Sequence, residues 1–263
     1  MLRNVLLLTF GTLATMLVLA YCTTDVGQRD APTAAEVVDL FDRLALSGFG
    51  EAGPAGQGPS LRRWSQPVRI AVIGGPAEGA AADWSRGVAA MAAVYDVLPH
   101  LDVSVVETVP FAVEGEDSEA VRKARETANL VVWTVPAEAV DDFTAAVGLP
   151  PQAAADLGAP RDGCAVAGAK AAVLSNVAIV LRDDLGQGRR RTCLGEALAM
   201  ALGFHIQEKT IPDVFRTRDG GIGFHPLGRM AAALLYDEAM EPGLSRPEAL
   251  ARAEEVLRRK GLK

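Results

Sequence analysis

Val68-Arg-Ile-Ala-Val-Ile73 alternates over its first half and then runs apolar, the pattern of a strand covered on both faces. Behind it, about Ala80 to Leu98, apolar residues recur at helical spacing, with Trp84, Val88, Met91, Ala92, Tyr95 and Leu98 on one face. Val103 to Val109 reads as a second strand, Ser118 to Thr127 as a short charged helix, and Leu130-Val-Val-Trp-Thr-Val135 as a third strand, with Pro136 suited to the first turn of the next helix. Over this stretch strand and helix alternate. After a Gly/Pro-rich passage, Cys164 to Ala167 and Val177 to Leu181 read as two further strands able to pair as a hairpin. The remainder is mostly helical: about Arg191 to Gly203, Leu227 to Met240 and Ser245 to Lys260. The last has clean ends, with Ser245-Arg-Pro-Glu248 as capping box, Arg258, Arg259 and Lys260 in the final turn and Gly261 as stop.

Upstream, residues 23–60 read as a tether with one short helix, and the main domain is placed at 61–263. The helix is announced by Thr33-Ala-Ala-Glu36 as a capping box, with Val37, Val38, Phe41, Leu44 and Ala45 at helical spacing. Gly48 to Pro59, rich in Gly and Pro, marks a flexible stop after it.

Further upstream, Arg3 and the free amino terminus precede a run from Val5 to Ala20 that carries no charge and is broken only by Thr9, Gly11, Thr12 and Thr15. Such an arrangement is an export signal. Its end, Leu19-Ala-Tyr-Cys22, resembles the lipobox of bacterial lipoproteins, with Tyr21 where a small residue is usual. That resemblance implies an acylated Cys22 as the mature N-terminus and a membrane-anchored protein in the periplasm, at the outer membrane if the cell has one. Cleavage after Ala20 and retention as an anchor are the alternatives. Retention is strained, because about 20 apolar residues span a bilayer and this run is shorter.

The chain has 263 residues, 49% of them hydrophobic, which is enough for a sizeable core. Its 33 acidic residues outnumber 26 basic ones, of which Arg3 lies in the signal segment, so the rest carries a formal net charge of −8. An acidic surface repels phosphate backbones, and Arg189-Arg190-Arg191 with Arg182 is too short a basic cluster to offset it. Nucleic acid is therefore excluded as a partner.

Several motifs that carry chemistry can be set aside. Gly74-Gly75-Pro-Ala-Glu-Gly79 lies between a strand and a helix but lacks the spacing of a dinucleotide loop and the Lys-Ser/Thr of a P-loop, so it reads as a tight turn. No G-x-S-x-G or S-x-x-K occurs. Asp141-Asp142 and Asp183-Asp184 read as solvated ends of elements. Cys164, Cys193, His205 and His225 are competent metal ligands, but structural zinc sites bring ligands in close pairs and the nearest of these are twelve residues apart. A disulfide between Cys164 and Cys193 is the simpler account: three cysteines in an oxidising compartment leave one pair once Cys22 is acylated. A redox role for Cys193 lacks the C-x-x-C partner.

The predicted helix Arg191-Thr-Cys193-Leu-Gly-Glu196-Ala197-Leu-Ala-Met200-Ala-Leu202-Gly203, the opening Arg63-Trp64-Ser-Gln-Pro67-Val-Arg-Ile70, and the later Leu234-Leu235-Tyr236-Asp237 and Pro242-Gly243-Leu244-Ser245 follow one another in a recognisable order. Together, over about residues 61–248, they resemble the family of domain of unknown function 2927 (DUF2927), bacterial proteins that are often secreted or lipid-anchored. The family typically has C-x-x-E-E-x-x-Q-x-L-G at this helix, and here Ala197 and Met200 replace the second Glu and the Gln. The same helix is similar to the H-E-x-x-H-x-x-G helix of zinc peptidases, with Gly203 in register and Glu196, Ala197 and Met200 at the positions of the first His, the Glu and the second His. The third histidine of the extended motif would fall at Ile206, one place past His205. The likeness implies a zincin-like α+β scaffold, a mixed sheet with helices followed by a mostly helical part, without catalytic residues, metal or cofactor. On a structural reading, Leu194, Leu198, Ala201 and Leu202 face the core, Cys193, Ala197 and Met200 line a second apolar contact, and Glu196 lies on a solvated edge.

The function expected on these grounds is a non-catalytic envelope lipoprotein that binds or scaffolds another envelope protein or a cell-wall component. The alternative is a zinc-dependent hydrolase with ligands outside the helix motif. The anchor has a direct check: Cys22→Ala moves the protein from the membrane fraction to the soluble fraction of the envelope. A Cys22→Ala protein that stays with the membrane replaces the acyl anchor with an uncleaved helix.

Overall fold

The computed structural model describes residues 32–46, 60–74, 81–109, 119–147, 149–159, 163–169, 171–205 and 226–262. Among them, Val68–Ile73 (β2) is a central strand of a five-stranded sheet with β3 (Val103–Val109), β4 (Leu130–Val135), β7 (Val177–Arg182) and β5 (Cys164–Ala167). The order is β3-β2-β4-β7-β5, with β2, β3, β4 and β7 parallel and β5 antiparallel to β7 at the edge. A mixed sheet with helices is the α+β architecture expected from the sequence. The run Val-Arg-Ile-Ala-Val-Ile fits its place, since every β2 side chain except Arg69 is buried.

Helices cover both sheet faces, as parallel crossovers require. On one face α3 (Glu119–Thr127), α4 (Val140–Val147) and α5 (Pro151–Gly158) pack on Ala71, Ile73, Trp133 and Val180, with Phe143 edge-on to Trp133 at 5.4 Å. The other face carries the larger core, in which Ile70, Val72, Val132 and Ile179 meet α2 (Ala81–Ala93) and α6 (Gln187–Ala201). The same core takes in α1 (Ala34–Phe41), α7 (Pro226–Leu235) and α8 (Arg246–Arg259).

Helix α1 departs from expectation. Its capping box forms as the sequence foretells, Thr33 and Glu36 bonding reciprocally. Instead of interrupting a tether, however, it buries Val37, Leu40 and Phe41 in the main core, and a π turn (Asp42–Leu46) adds Leu44 and Leu46. On the exposed side Arg246 of α8 grips Asp42 with two hydrogen bonds of 2.7 and 2.5 Å. The compact unit therefore begins at Thr33 rather than at residue 61. The stretch expected to be a signal segment, Cys22 and the Gly/Pro-rich stretch up to Pro59 lie outside the described residues. Among the described helices none is long and apolar enough to cross a membrane.

Other boundaries shift for local reasons. Helix α6 starts at Gln187, four residues before Arg191, because the Arg190 guanidinium donates to the carbonyls of Asp183 and Leu185 and ties the first turn to the exit of β7. Helix α7 ends at Leu235, short of Met240. The passage before Cys164 holds α5, where Pro151 at the first position presets the helical φ. Strands β5 and β7 do pair antiparallel, in the register Cys164↔Leu181. The link between them is not a simple hairpin: β6 (Val173–Leu174) leaves to pair in parallel with β1 (Arg63–Trp64).

Cys164, the first residue of β5, is joined to Cys193 in α6 across a Cα–Cα distance of 6.3 Å. The bond pins the edge strand to a helix from the other side of β7 and closes a loop with a sequence separation of 29. By loop entropy such a closure contributes about 3 kcal/mol. Reduction should lower the melting temperature by roughly 6 to 12 °C in a domain of this size. Two free thiols titrated in protein taken directly from cells under exchange-blocking conditions would contradict the bond.

Candidate functional site

Helix α6 leaves β7 after a short turn, lies over β7 and β5, and carries the positions that resemble a metallopeptidase helix. Its inward residues do not split into two contacts. Cys193, Leu194, Ala197, Leu198, Ala201 and Leu202 all belong to one core cluster. Ala197, at the position of the peptidase general base, is 0% exposed. Glu196 and Met200 are half-buried on the flank of the helix, so Glu196 sits less freely in solvent than its sequence context implies. No group of three or more His, Cys, Asp or Glu side chains among the described residues is placed to share a metal ion. Two of the four competent ligands, Cys164 and Cys193, are spent in the disulfide, and His225 lies outside the described residues.

What the helix does present is a tightly bonded C-terminal end. The Trp64 indole N–H donates to the carbonyl of Ala201 at 2.9 Å, and the Tyr236 hydroxyl donates to the carbonyl of Leu202 at 2.7 Å. Both side chains are almost wholly buried. Burial pushes the Tyr236 hydroxyl far above its ordinary range, against the opposing pull of a Trp64 backbone hydrogen bond and the Arg63 charge, so it stays a donor. Arg63 lies over the Tyr236 ring, 5.2 Å from its centroid, and donates from Nη1 to the carbonyls of Asp237 (2.8 Å) and Met240. Those bonds turn the chain after α7 and end that helix early. Burial pulls the Arg63 guanidinium down, while Tyr236 and Asp237 pull it up.

Gly203 completes the arrangement with φ at +93°, and a Cβ there would stand 2.4 Å from the carbonyl oxygen of Arg62. Only glycine allows α6 to stop and β1 to pass this closely. The residues that carry the family resemblance, Arg63-Trp64, Leu202-Gly203 and Tyr236-Asp237, thus meet in one place. Together they form a structural lock.

Beside the lock lie Arg62 and His205, a juxtaposition that the spacing in the chain gives no means to foresee. Arg62 donates from Nη1 to the Ala169 carbonyl at 2.9 Å, and burial lowers its guanidinium to about 10, still protonated at neutral pH. The backbone N–H of His205 donates to the Leu44 carbonyl in the π turn. Its imidazole is pulled below the ordinary histidine range, first by burial and then by the Arg62 charge. The other acidic pairs serve local structure. Asp183 accepts the Ala137 N–H at 3.2 Å, Asp184 binds Arg182 through bonds of 2.8 and 2.6 Å, and Asp141 and Asp142 open α4. Gly74 turns the end of β2 with φ at +85°, while residues 75–79 lie outside the described residues.

Two measurements probe this end of α6. Gly203→Ala should cost at least about 2 kcal/mol, because the left-handed backbone alone costs an L-residue about 1–2 kcal/mol and the Arg62 carbonyl must also move. An unchanged denaturant midpoint would show that the close approach is absent. The second is a pH effect. A histidine whose folded pKa is depressed binds fewer protons when folded than when unfolded, so its site is fully stable above the unfolded value of about 6.5 and loses stability as pH falls from there through the folded value. Unfolding free energies between pH 7.5 and 5.5 should fall more steeply for the unmodified protein than for His205→Gln, and parallel curves would refute the assignment.

Comparison with known proteins agrees on one point. The family model described as "Protein of unknown function (DUF2927)" matches residues 35–255, from α1 into α8. No match was found among curated proteins, and none among solved structures. With the match covering most of its length and the residues of its lock in place, the chain belongs to the DUF2927 family.

Proposed function

We propose that this protein is a non-catalytic envelope lipoprotein, held to a membrane through Cys22, whose domain binds or scaffolds another envelope protein or a cell-wall component. The single observation that supports the non-catalytic reading is the chemistry of α6. Where a zincin-like scaffold would carry a base and a second metal ligand, this chain has Ala197, sealed in the core, and Met200, a thioether that zinc does not favour. A mixed sheet with α6 packed against its antiparallel edge, followed by helices, is in keeping with such a scaffold. Polar groups near the helix end are engaged in holding backbone carbonyls. The export signal and lipobox-like end, together with the disulfide, favour an extracytoplasmic address.

Two experiments decide it. Residues 33–263, purified with the disulfide formed, should hold no stoichiometric zinc by elemental analysis. One equivalent of metal, lost when His205 or His225 is replaced, would overturn the proposal in favour of a hydrolase. Crosslinking of the full chain in the native envelope should identify a protein or cell-wall fragment attached to the domain, and recovery of the monomer alone would count against binding.

A further inference from the structure

We draw no further inference here: the strongest candidate, the uncharged outer edge of strand β5 near the half-buried Arg62 and His205, carries nothing because no described residue shows what covers it.

Discussion

The carbonyls of Ala201 and Leu202 end a helix whose C-terminal half is largely buried, and buried carbonyls without donors cost about 1–3 kcal/mol each. Trp64 and Tyr236 supply the donors from two segments far apart in the chain. Both are aromatic residues with a polar tip, so each buries a large apolar body and still delivers a donor to a carbonyl. Because Trp64 belongs to β1 and Tyr236 follows α7, satisfying two carbonyls fixes where both segments lie relative to α6. Arg63 extends the same constraint to the turn after α7, and Gly203 permits the backbone contact that brings them together.

The disulfide acts at the other side of the same helix. It holds α6 to the edge strand β5, which has a laddered neighbour only at β7 among the described residues. Short edge strands fray readily, and a covalent tie to a helix that is itself locked at its far end counters that tendency. Strand and helix are thereby covalently joined, with the half-buried side chains of Glu196 and Met200 on the helix flank.

Ala197 stands at a core position of α6, where the peptidase helix that it resembles has its carboxylate. A carboxylate placed there would lose its hydration, and burial of an unpaired charge is prohibitive. The packing around α6 is adapted to a small side chain at that point. Small and apolar side chains at Ala197, Leu198 and Ala201 seat α6 in the core next to the lock.

Much of the fold is legible in the sequence because periodicity is a local property. The bounds of β2, β3 and β4 follow from their apolar runs, and the capping boxes at Thr33 and Ser245 are set by residues three apart. The pairing of Cys164 with Cys193 follows from count and compartment. What local patterns do not carry is partnership. An amphipathic helix such as α1 reads the same whether its stripe is docked or waits on a tether, and β1 and β6, two residues each, acquire strand geometry only from one another. Of the candidate site, the sequence determined the residue types: two cysteines that pair, and a helix with alanine and methionine where the zinc peptidase helix that it resembles has its base and ligand. The tertiary structure decided that Arg63, Trp64, Gly203 and Tyr236 form a lock and that His205 stands beside Arg62, because contacts between residues 34 to 177 positions apart depend on strand order and helix packing, which no short stretch of chain encodes.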